Sequence, residues 1–143
     1  MPCTLELNNI NNKSKQHKMS PGAGDQSSKA IRRIGQYIRL RPEHAAEYIK
    51  IHSEVWPGVL NRITASNMHD YSIFYDPIGG LLFASFKYTG VDFEGDMKKI
   101  AEDEETKRWW KVTDAMQESL NEGATGSEGG NWWRDMEEVF YHA

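Results

Sequence analysis

The order in which strand-like and helix-like hydrophobic patterns follow one another limits the folds open to this chain more than any other feature. Strand patterns cover residues 31–40, 71–75, 81–88 and 136–142. Helical periodicity covers residues 42–65 and 92–118, with a break at 102–105 in the second helix. The resulting order of strand, helix, strand, strand, helix, strand predicts a ferredoxin-like α+β fold, an antiparallel sheet with helices on one face.

The second face of this predicted sheet has no further layer to cover it. Tyr and Phe side chains occupy strand positions that alternate between the two faces, as in residues 71–75. An exposed sheet face that carries such residues usually marks association. We therefore expect a homodimer in which two sheets pack together, as in dimeric α/β barrels.

Residues 1–29 and residues 30–143 differ in composition and in charge. The first segment is rich in Asn, Lys, Ser, Gln and Gly, which predicts a disordered tail before one folded domain. Residues 1–33 carry six Lys or Arg and two acids, whereas residues 34–143 carry eleven basic and nineteen acidic groups. An acidic domain is poorly suited to a phosphate backbone, so we expect no nucleic-acid partner.

Several other classes of protein are disfavoured by the composition. No apolar run is long enough to span a bilayer, so no membrane partner is expected. Cys3 is the only cysteine and the first residues carry no apolar secretion signal, which together favour the cytoplasm. The five histidines are scattered and no glycine-rich nucleotide fingerprint is present, so the residues predict neither a metal site nor a nucleotide site of this kind.

A titratable imidazole lies on the apolar face of the predicted helix 42–65. At about 100° per residue, the apolar arc of this helix consists of Ala45, Ile49, Trp56, Leu60 and Ile63. His52 falls near the middle of the arc, and Tyr48 lies one turn away at its edge. Pro57 follows one turn later and is expected to kink or split the helix. An isolated histidine here is most simply a core residue bonded to a backbone carbonyl, but the aromatic neighbours favour a functional role.

Tyr48, His52, Tyr71, Trp109 and Trp110 form the predicted site. An imidazole exchanges protons near neutral pH, and a phenol hydroxyl both donates and accepts hydrogen bonds. Indole rings offer flat faces for the C–H bonds of a sugar, so the set suits a small neutral polyol better than an ionic substrate. Packing is the alternative for Tyr71, which lies on an alternating strand. Adjacent tryptophans point to different sides of a helix, so Trp109 or Trp110 is expected in the core or an interface.

The remaining clusters have simpler interpretations. Trp132 and Trp133 follow a loop with four glycines over residues 122–130, and they either cap the sheet or cover a pocket, with packing slightly favoured. The acidic run over residues 102–105 is a solvated helix junction. Glu137 and Glu138 are interpreted as surface charge on the closing strand.

Five ordered motifs carry a family resemblance. They are Glu47-Tyr48 with His52 and Val55-Trp56-Pro57, Tyr71-Ser72-Ile73, Leu81-Leu82-Phe83-Ala84, Lys107-Arg108-Trp109-Trp110-Lys111, and Met136-Glu137-Glu138-Val139-Phe140-Tyr141. In this order, from about Arg33 to His142, they resemble the L-rhamnose mutarotase family. The chain departs from the short bacterial members in its N-terminal tail, in a longer segment between Tyr71 and Trp109, and in the glycine-rich insert.

The resemblance implies a dimeric ferredoxin-like fold and a cytoplasmic isomerase that interconverts the α and β anomers of a 6-deoxy-hexose, foremost L-rhamnose, without a cofactor. It also implies that His52 donates the proton and that Tyr48, Tyr71 and the Trp109-Trp110 pair hold the sugar. Mutarotation needs a base for the anomeric hydroxyl and an acid for the ring oxygen. The second proton-transfer group stays open between Tyr48 and a bound water.

Three alternatives remain at this point. Related mutarotases that act on L-fucose share the same pattern of residues. Haem-degrading and small-quinol oxygenases also use dimeric ferredoxin-like folds, and His52 would then serve as an axial ligand or a base. A non-catalytic module for dimerisation or sugar sensing would keep the fold without the activity.

Overall fold

A central strand with partners on both edges organises the sheet in this computed structural model, which describes residues 30–143. The predicted tail over residues 1–29 lies outside the described residues. The strands are β1 Arg32–Leu40, β2 Met68–Asp76, β3 Leu81–Tyr88, β4 Gln117–Glu118 and β5 Arg134–Met136. β1 pairs antiparallel with β3, β3 pairs with β2, and both β4 and β5 pair with the second edge of β1. This order confirms the predicted ferredoxin-like arrangement.

The helices begin and end at residues whose local chemistry explains the boundaries. They are α1 Ala45–His52, α2 Pro57–Ala65, α3 Phe93–Glu102 and α4 Glu104–Asp114, with 3₁₀ turns at Pro42–His44 and Ser127–Gly129. Pro57 splits the first predicted helix, because a proline at the first helical position loses no hydrogen bond. Asp103 creates the predicted break before α4, since its carboxylate accepts the Thr106 backbone N–H at 2.9 Å. Among residues 30–143, no helix combines the length and the apolar character that a membrane crossing requires.

The predicted C-terminal end of the second helix is wrong. The sequence pattern extends this helix to residue 118, whereas α4 ends at Asp114. Gln117 instead pairs with Leu40 of β1 and forms the short strand β4. The free edge of β1 offers backbone partners that a fourth helical turn would leave unused.

The predicted closing strand is also displaced. β5 covers Arg134–Met136 rather than residues 136–142, and the chain leaves the ladder after Met136 pairs with Gly35. Beyond that point the side chain of Glu138 forms an ion pair with Arg33 at 2.8 Å. Strong β propensity did not extend the strand, because propensity reflects side-chain packing and these residues are exposed.

The apolar arc predicted for residues 45–63 does not hold across the break at Pro57. Ile49 and Leu60 are 55% and 50% exposed, whereas Tyr48 is 3% exposed and belongs to the core. A proline that starts a new helix changes the direction of the axis, so one helical wheel cannot describe both segments. Tyr48, which the wheel assigned to the edge of the arc, is the residue that packs inward.

The helices cover one face of the sheet, and the opposite face is open. On the covered face, alternate residues of β1 and β3 such as Ile38 and Leu82 are fully buried. On the open face, the rings of Tyr37 and Phe83 stack with centroids 6.1 Å apart, and Phe74 is 64% exposed. This asymmetry leaves an aromatic surface of Tyr37, Phe74 and Phe83 that is at least partly exposed within residues 30–143.

Candidate active site

A cavity of about 460 Å³ lies between the covered face of the sheet and helices α3 and α4. Tyr71 and Trp110, two of the five predicted site residues, lie in its wall together with Trp132 and Trp133. The Tyr71 ring stacks on Phe86 of β3 with centroids 4.9 Å apart. Polar side chains in the lining are Arg32, Gln36, Glu94, Ser127, Glu128 and Asp135. The wall therefore offers ring faces for C–H groups and hydrogen-bond partners for hydroxyls.

The other three predicted residues form an aromatic cluster outside the lining of this cavity. The ring centroids of Tyr48 and His52 lie 4.0 Å apart, and His52 meets Trp109 edge-on at 5.2 Å. Trp56 extends the cluster with an edge-on contact to Trp109 at 5.2 Å. Trp109 is 6% exposed while Trp110 lines the cavity, so the prediction that the two adjacent indoles point to different sides of α4 is confirmed. The five residues thus form two groups rather than one wall.

One hydrogen bond fixes the tautomer of His52. Its Nδ1 lies 2.8 Å from the backbone carbonyl oxygen of Tyr48. A carbonyl only accepts, so Nδ1 carries the proton and Nε2 of the neutral ring is an acceptor. Burial lowers the pKa of His52 below its ordinary value, and the hydrogen bond to Tyr48 opposes this shift only in part. His52 is therefore a neutral base at pH 7, and its ring is half-buried rather than enclosed in the core.

Tyr48 of the aromatic cluster lies near enough to Tyr71 of the cavity wall for Tyr71 to affect its pKa. Burial raises the pKa of Tyr48, the nearby Tyr71 phenol raises it further, and a hydrogen bond from Gln117 has the opposite, smaller effect. Burial of its hydroxyl raises the pKa of Tyr71 to about 12, although 39% of the residue is exposed. Both phenols stay protonated at neutral pH and can donate hydrogen bonds.

Two residues that the sequence did not assign to the site complete this connection. The Gln117 side-chain amide donates from Nε2 to the Tyr48 hydroxyl at 3.3 Å, and its Oε1 accepts the Trp132 indole N–H at 2.9 Å. The sequence pattern does not single out Gln117, because this residue falls inside the predicted helix 92–118 and belongs to no motif. Trp132 both packs against the core and lines the cavity, so the packing and pocket interpretations of its position beside the glycine-rich loop both apply.

The glycine-rich loop is tied to the body of the domain on both sides of the cavity wall. Asp114, at the end of α4, accepts the Ser127 backbone N–H at 2.8 Å and the Ser127 hydroxyl at 2.5 Å. The Ser119 hydroxyl donates to the carbonyl oxygen of Trp132 at 2.6 Å. These bonds hold Ser127 and Trp132 where they line the cavity. Within residues 30–143, no group of three or more His, Cys, Asp or Glu is arranged to hold a metal ion.

Comparison with known proteins identifies the family. The family model described as L-rhamnose mutarotase matches residues 33–142. The chain belongs to the L-rhamnose mutarotase family. The L-rhamnose mutarotase of Bacillus subtilis is 34% identical over 111 residues, which are 78% of this chain and 98% of that protein. The L-rhamnose mutarotase of Listeria monocytogenes is 32% identical over 114 residues, 79% of this chain and all of the relative.

A solved structure agrees with the fold. The crystal structure of an L-rhamnose mutarotase from Formosa agariphila matches with a TM-score of 0.60 and 24% identity, over 78% of this chain and 99% of that one. At this identity the likeness supports the fold alone. Membership of the L-rhamnose mutarotase family confirms the resemblance predicted from the five motifs, and it assigns the chain to the isomerases rather than to the haem or quinol oxygenases.

Proposed function

We propose that this chain interconverts the α and β anomers of L-rhamnose, with His52 as the proton-transfer group and Tyr48, Tyr71, Trp109 and Trp110 as residues that hold the sugar. The observation that carries the proposal is the hydrogen bond from His52 Nδ1 to the Tyr48 carbonyl. It leaves Nε2 of a neutral imidazole as a base, stacked on a phenol that remains a hydrogen-bond donor.

The proposed reaction follows from these groups. His52 Nε2 removes the proton from the anomeric hydroxyl, the C1=O double bond forms, and the bond between C1 and the ring oxygen breaks. The ring oxygen takes up a proton from a second donor, for which the Tyr48 hydroxyl is our candidate. After rotation about C1–C2, the hydroxyl that was formed from the ring oxygen adds to the other face of the aldehyde. Its proton returns to the donor, and His52 returns its proton to the anomeric oxygen. No electrons or atoms are gained or lost, so the residues need only position the sugar and move protons.

The lining of the cavity supports a neutral 6-deoxy-sugar as substrate. The indoles of Trp110 and Trp132 provide apolar faces, and the C6 methyl group of such a sugar has no hydroxyl that would need a partner. Gln36, Ser127 and Asp135 provide donors and acceptors for the ring hydroxyls. L-rhamnose is preferred to L-fucose because the relatives named above are L-rhamnose mutarotases.

Saturation-transfer NMR between the two anomers tests the function directly. We expect exchange well above the water background with L-rhamnose, weaker exchange with L-fucose and none above background with D-glucose. Background rates for every sugar would contradict the proposal. Faster exchange with L-fucose than with L-rhamnose would keep the reaction and change the substrate. A Soret shift on addition of haem would favour the oxygenase alternative instead.

The proposal includes a homodimer that forms through the open face of the sheet. Phe74 is 64% exposed on this face beside the stacked rings of Tyr37 and Phe83, and an aromatic surface of this kind supports association. A cytoplasmic location is also part of the proposal. It rests on the single cysteine, since a chain with only Cys3 cannot form an internal disulfide.

Light scattering over a dilution series tests the dimer. Phe74→Lys places a charge on the proposed interface and should shift the mass from dimer to monomer. Ile78→Lys is the matched control, because Ile78 is 98% exposed in the turn between β2 and β3 rather than on the sheet face. A monomer in the unmodified protein at micromolar concentration, or equal masses for the two variants, would contradict this arrangement.

A further inference from the structure

A buried amide links the cavity wall to the Tyr48 hydroxyl. Gln117 is only 3% exposed, and both ends of its side chain are used: Nε2 faces Tyr48 at 3.3 Å and Oε1 faces Trp132 at 2.9 Å. Its backbone is fixed as well, because it pairs with Leu40 in the sheet. A buried polar side chain with two fixed partners has one preferred orientation.

The chemistry of Trp132 determines that orientation. An indole N–H donates and cannot accept, so the Gln117 atom that faces it must be the carbonyl oxygen. The amide NH₂ group must then face Tyr48, and the Tyr48 oxygen must accept from it. A hydroxyl that accepts from Gln117 points its own proton in another direction. Trp132 in the cavity wall therefore sets the direction of the Tyr48 O–H bond through Gln117.

We propose that Gln117 and Trp132 are positioning residues that keep the Tyr48 hydroxyl turned to donate its hydrogen to an oxygen of the bound sugar. This inference rests on the proposed mutarotase function. Tyr48 then acts twice, since its carbonyl fixes the proton of His52 on Nδ1 and its hydroxyl is presented to the substrate. The glycine-rich insert takes part indirectly, because it carries Trp132 at its end and the Ser119 hydroxyl binds the Trp132 carbonyl.

A double-mutant cycle separates this role from simple packing. Gln117→Met keeps the length of the side chain and removes both hydrogen bonds. We expect kcat per folded molecule to fall about tenfold, because the donor is misdirected in the transition state; loss of the bond to the Trp132 indole in the cavity wall bears on KM instead. Tyr48→Phe removes the donor itself. The double variant should have the same kcat as Tyr48→Phe alone, since Gln117 acts on kcat only through that hydroxyl.

A second variant keeps the test independent of folding. Gln117→Glu has the same shape, and its carboxylate still accepts the Trp132 N–H, but it also accepts from Tyr48 and so draws the hydroxyl proton away from the sugar. We expect kcat to fall at least as far as in Gln117→Met once the pH exceeds the pKa of the new carboxyl, which burial raises. The Trp132 indole N–H resonance reports the bond directly and should move upfield in Gln117→Met while it stays downfield in Gln117→Glu.

Met116→Leu is the control for disturbance of this segment. Met116 is buried next to Gln117 and makes no polar contact with the site, so its replacement should lower the melting temperature slightly and spare kcat. Effects of Gln117→Met and Tyr48→Phe that multiply in the double variant would overturn the inference, as would an unchanged kcat in folded Gln117→Met or Gln117→Glu. Background exchange in the unmodified protein would instead count against the proposed function, so the two failures are distinguishable.

Discussion

Replacement of His52 by asparagine removes the proposed base while it preserves most local contacts. The Asn amide can donate to the Tyr48 carbonyl from nearly the position of Nδ1, which now lies 2.8 Å from that oxygen. What it cannot supply is the Nε2 lone pair. The ring contacts with Tyr48 at 4.0 Å and with Trp109 at 5.2 Å are lost as well.

These contacts set the expected magnitudes. Each aromatic pair contributes about 0.5–1.5 kcal/mol beyond its buried area, and His52 is half-buried, so we expect a loss of about 1–2 kcal/mol in the free energy of unfolding. A placed acid–base group contributes about 10²–10⁴-fold to a rate. Anomer exchange should therefore fall by at least about a hundredfold per folded molecule, far more than partial unfolding explains.

The pH dependence gives an independent signature of His52. Its folded-state pKa lies below the ordinary value of about 6.5, because burial disfavours the imidazolium. The rate of anomer exchange should be constant above about pH 6.5. It should fall as the pH drops through the lowered pKa of His52, because Nε2 then becomes protonated. The free energy of unfolding should be independent of His52 above about pH 6.5. It should decline as the pH falls from there toward the folded-state pKa, because the unfolded chain binds the proton first.

Saturation-transfer NMR with L-rhamnose measures the rate, and circular dichroism melts measure the folded fraction. Ile51→Val is the matched control, because it removes one methyl group from the same helix at a cost of about 0.5–1.5 kcal/mol and carries no titratable group. The control should keep its rate per folded molecule. Unimpaired exchange in folded His52→Asn would refute the mechanism. Equal fractional losses in both variants would return His52 to a packing role.

Three further predictions concern stability and the tail. Gly58→Ala should give less than the usual gain of about 0.5–1 kcal/mol, because the new Cβ must displace the Glu105 carboxylate, and melts should show a larger gain in a Glu105→Ala background. The Tyr88 hydroxyl is the main cause of the lowered pKa of Asp96, so the ionised Asp96 should stabilise the fold above about pH 4 and lose this effect below it. The free energy of unfolding of Asp96→Asn should therefore decline less steeply in acid than that of the unmodified protein, and identical curves would contradict this. A chain that begins at Ala30 should keep its melting temperature and exchange rate, and a large drop in either would show that residues 1–29 contribute to the domain.

The sequence alone predicted the features that depend on neighbours along the chain. Strand and helix periods gave the order of elements and hence the ferredoxin-like sheet. The four-residue spacing of Tyr48 and His52 predicted rings on one helix face, and their contact at 4.0 Å follows from the helical repeat. The opposite directions of Trp109 and Trp110 have the same local origin. Such features are encoded by backbone geometry over a few residues.

Only the tertiary structure decided the features that join distant parts of the chain. Gln117 reaches Tyr48 across 69 residues, and it does so because β4 pairs with β1 where a helical pattern was expected to continue. The same pairing brings Trp132 to Gln117 and, with the loop bonds, builds the cavity wall. The closing strand ends at Met136, because the exposed residues beyond it have no surface to pack against, and Glu138 contacts Arg33 through its side chain alone. Local periodicity contains no information on which edge of which strand is free, and that choice assembles the site.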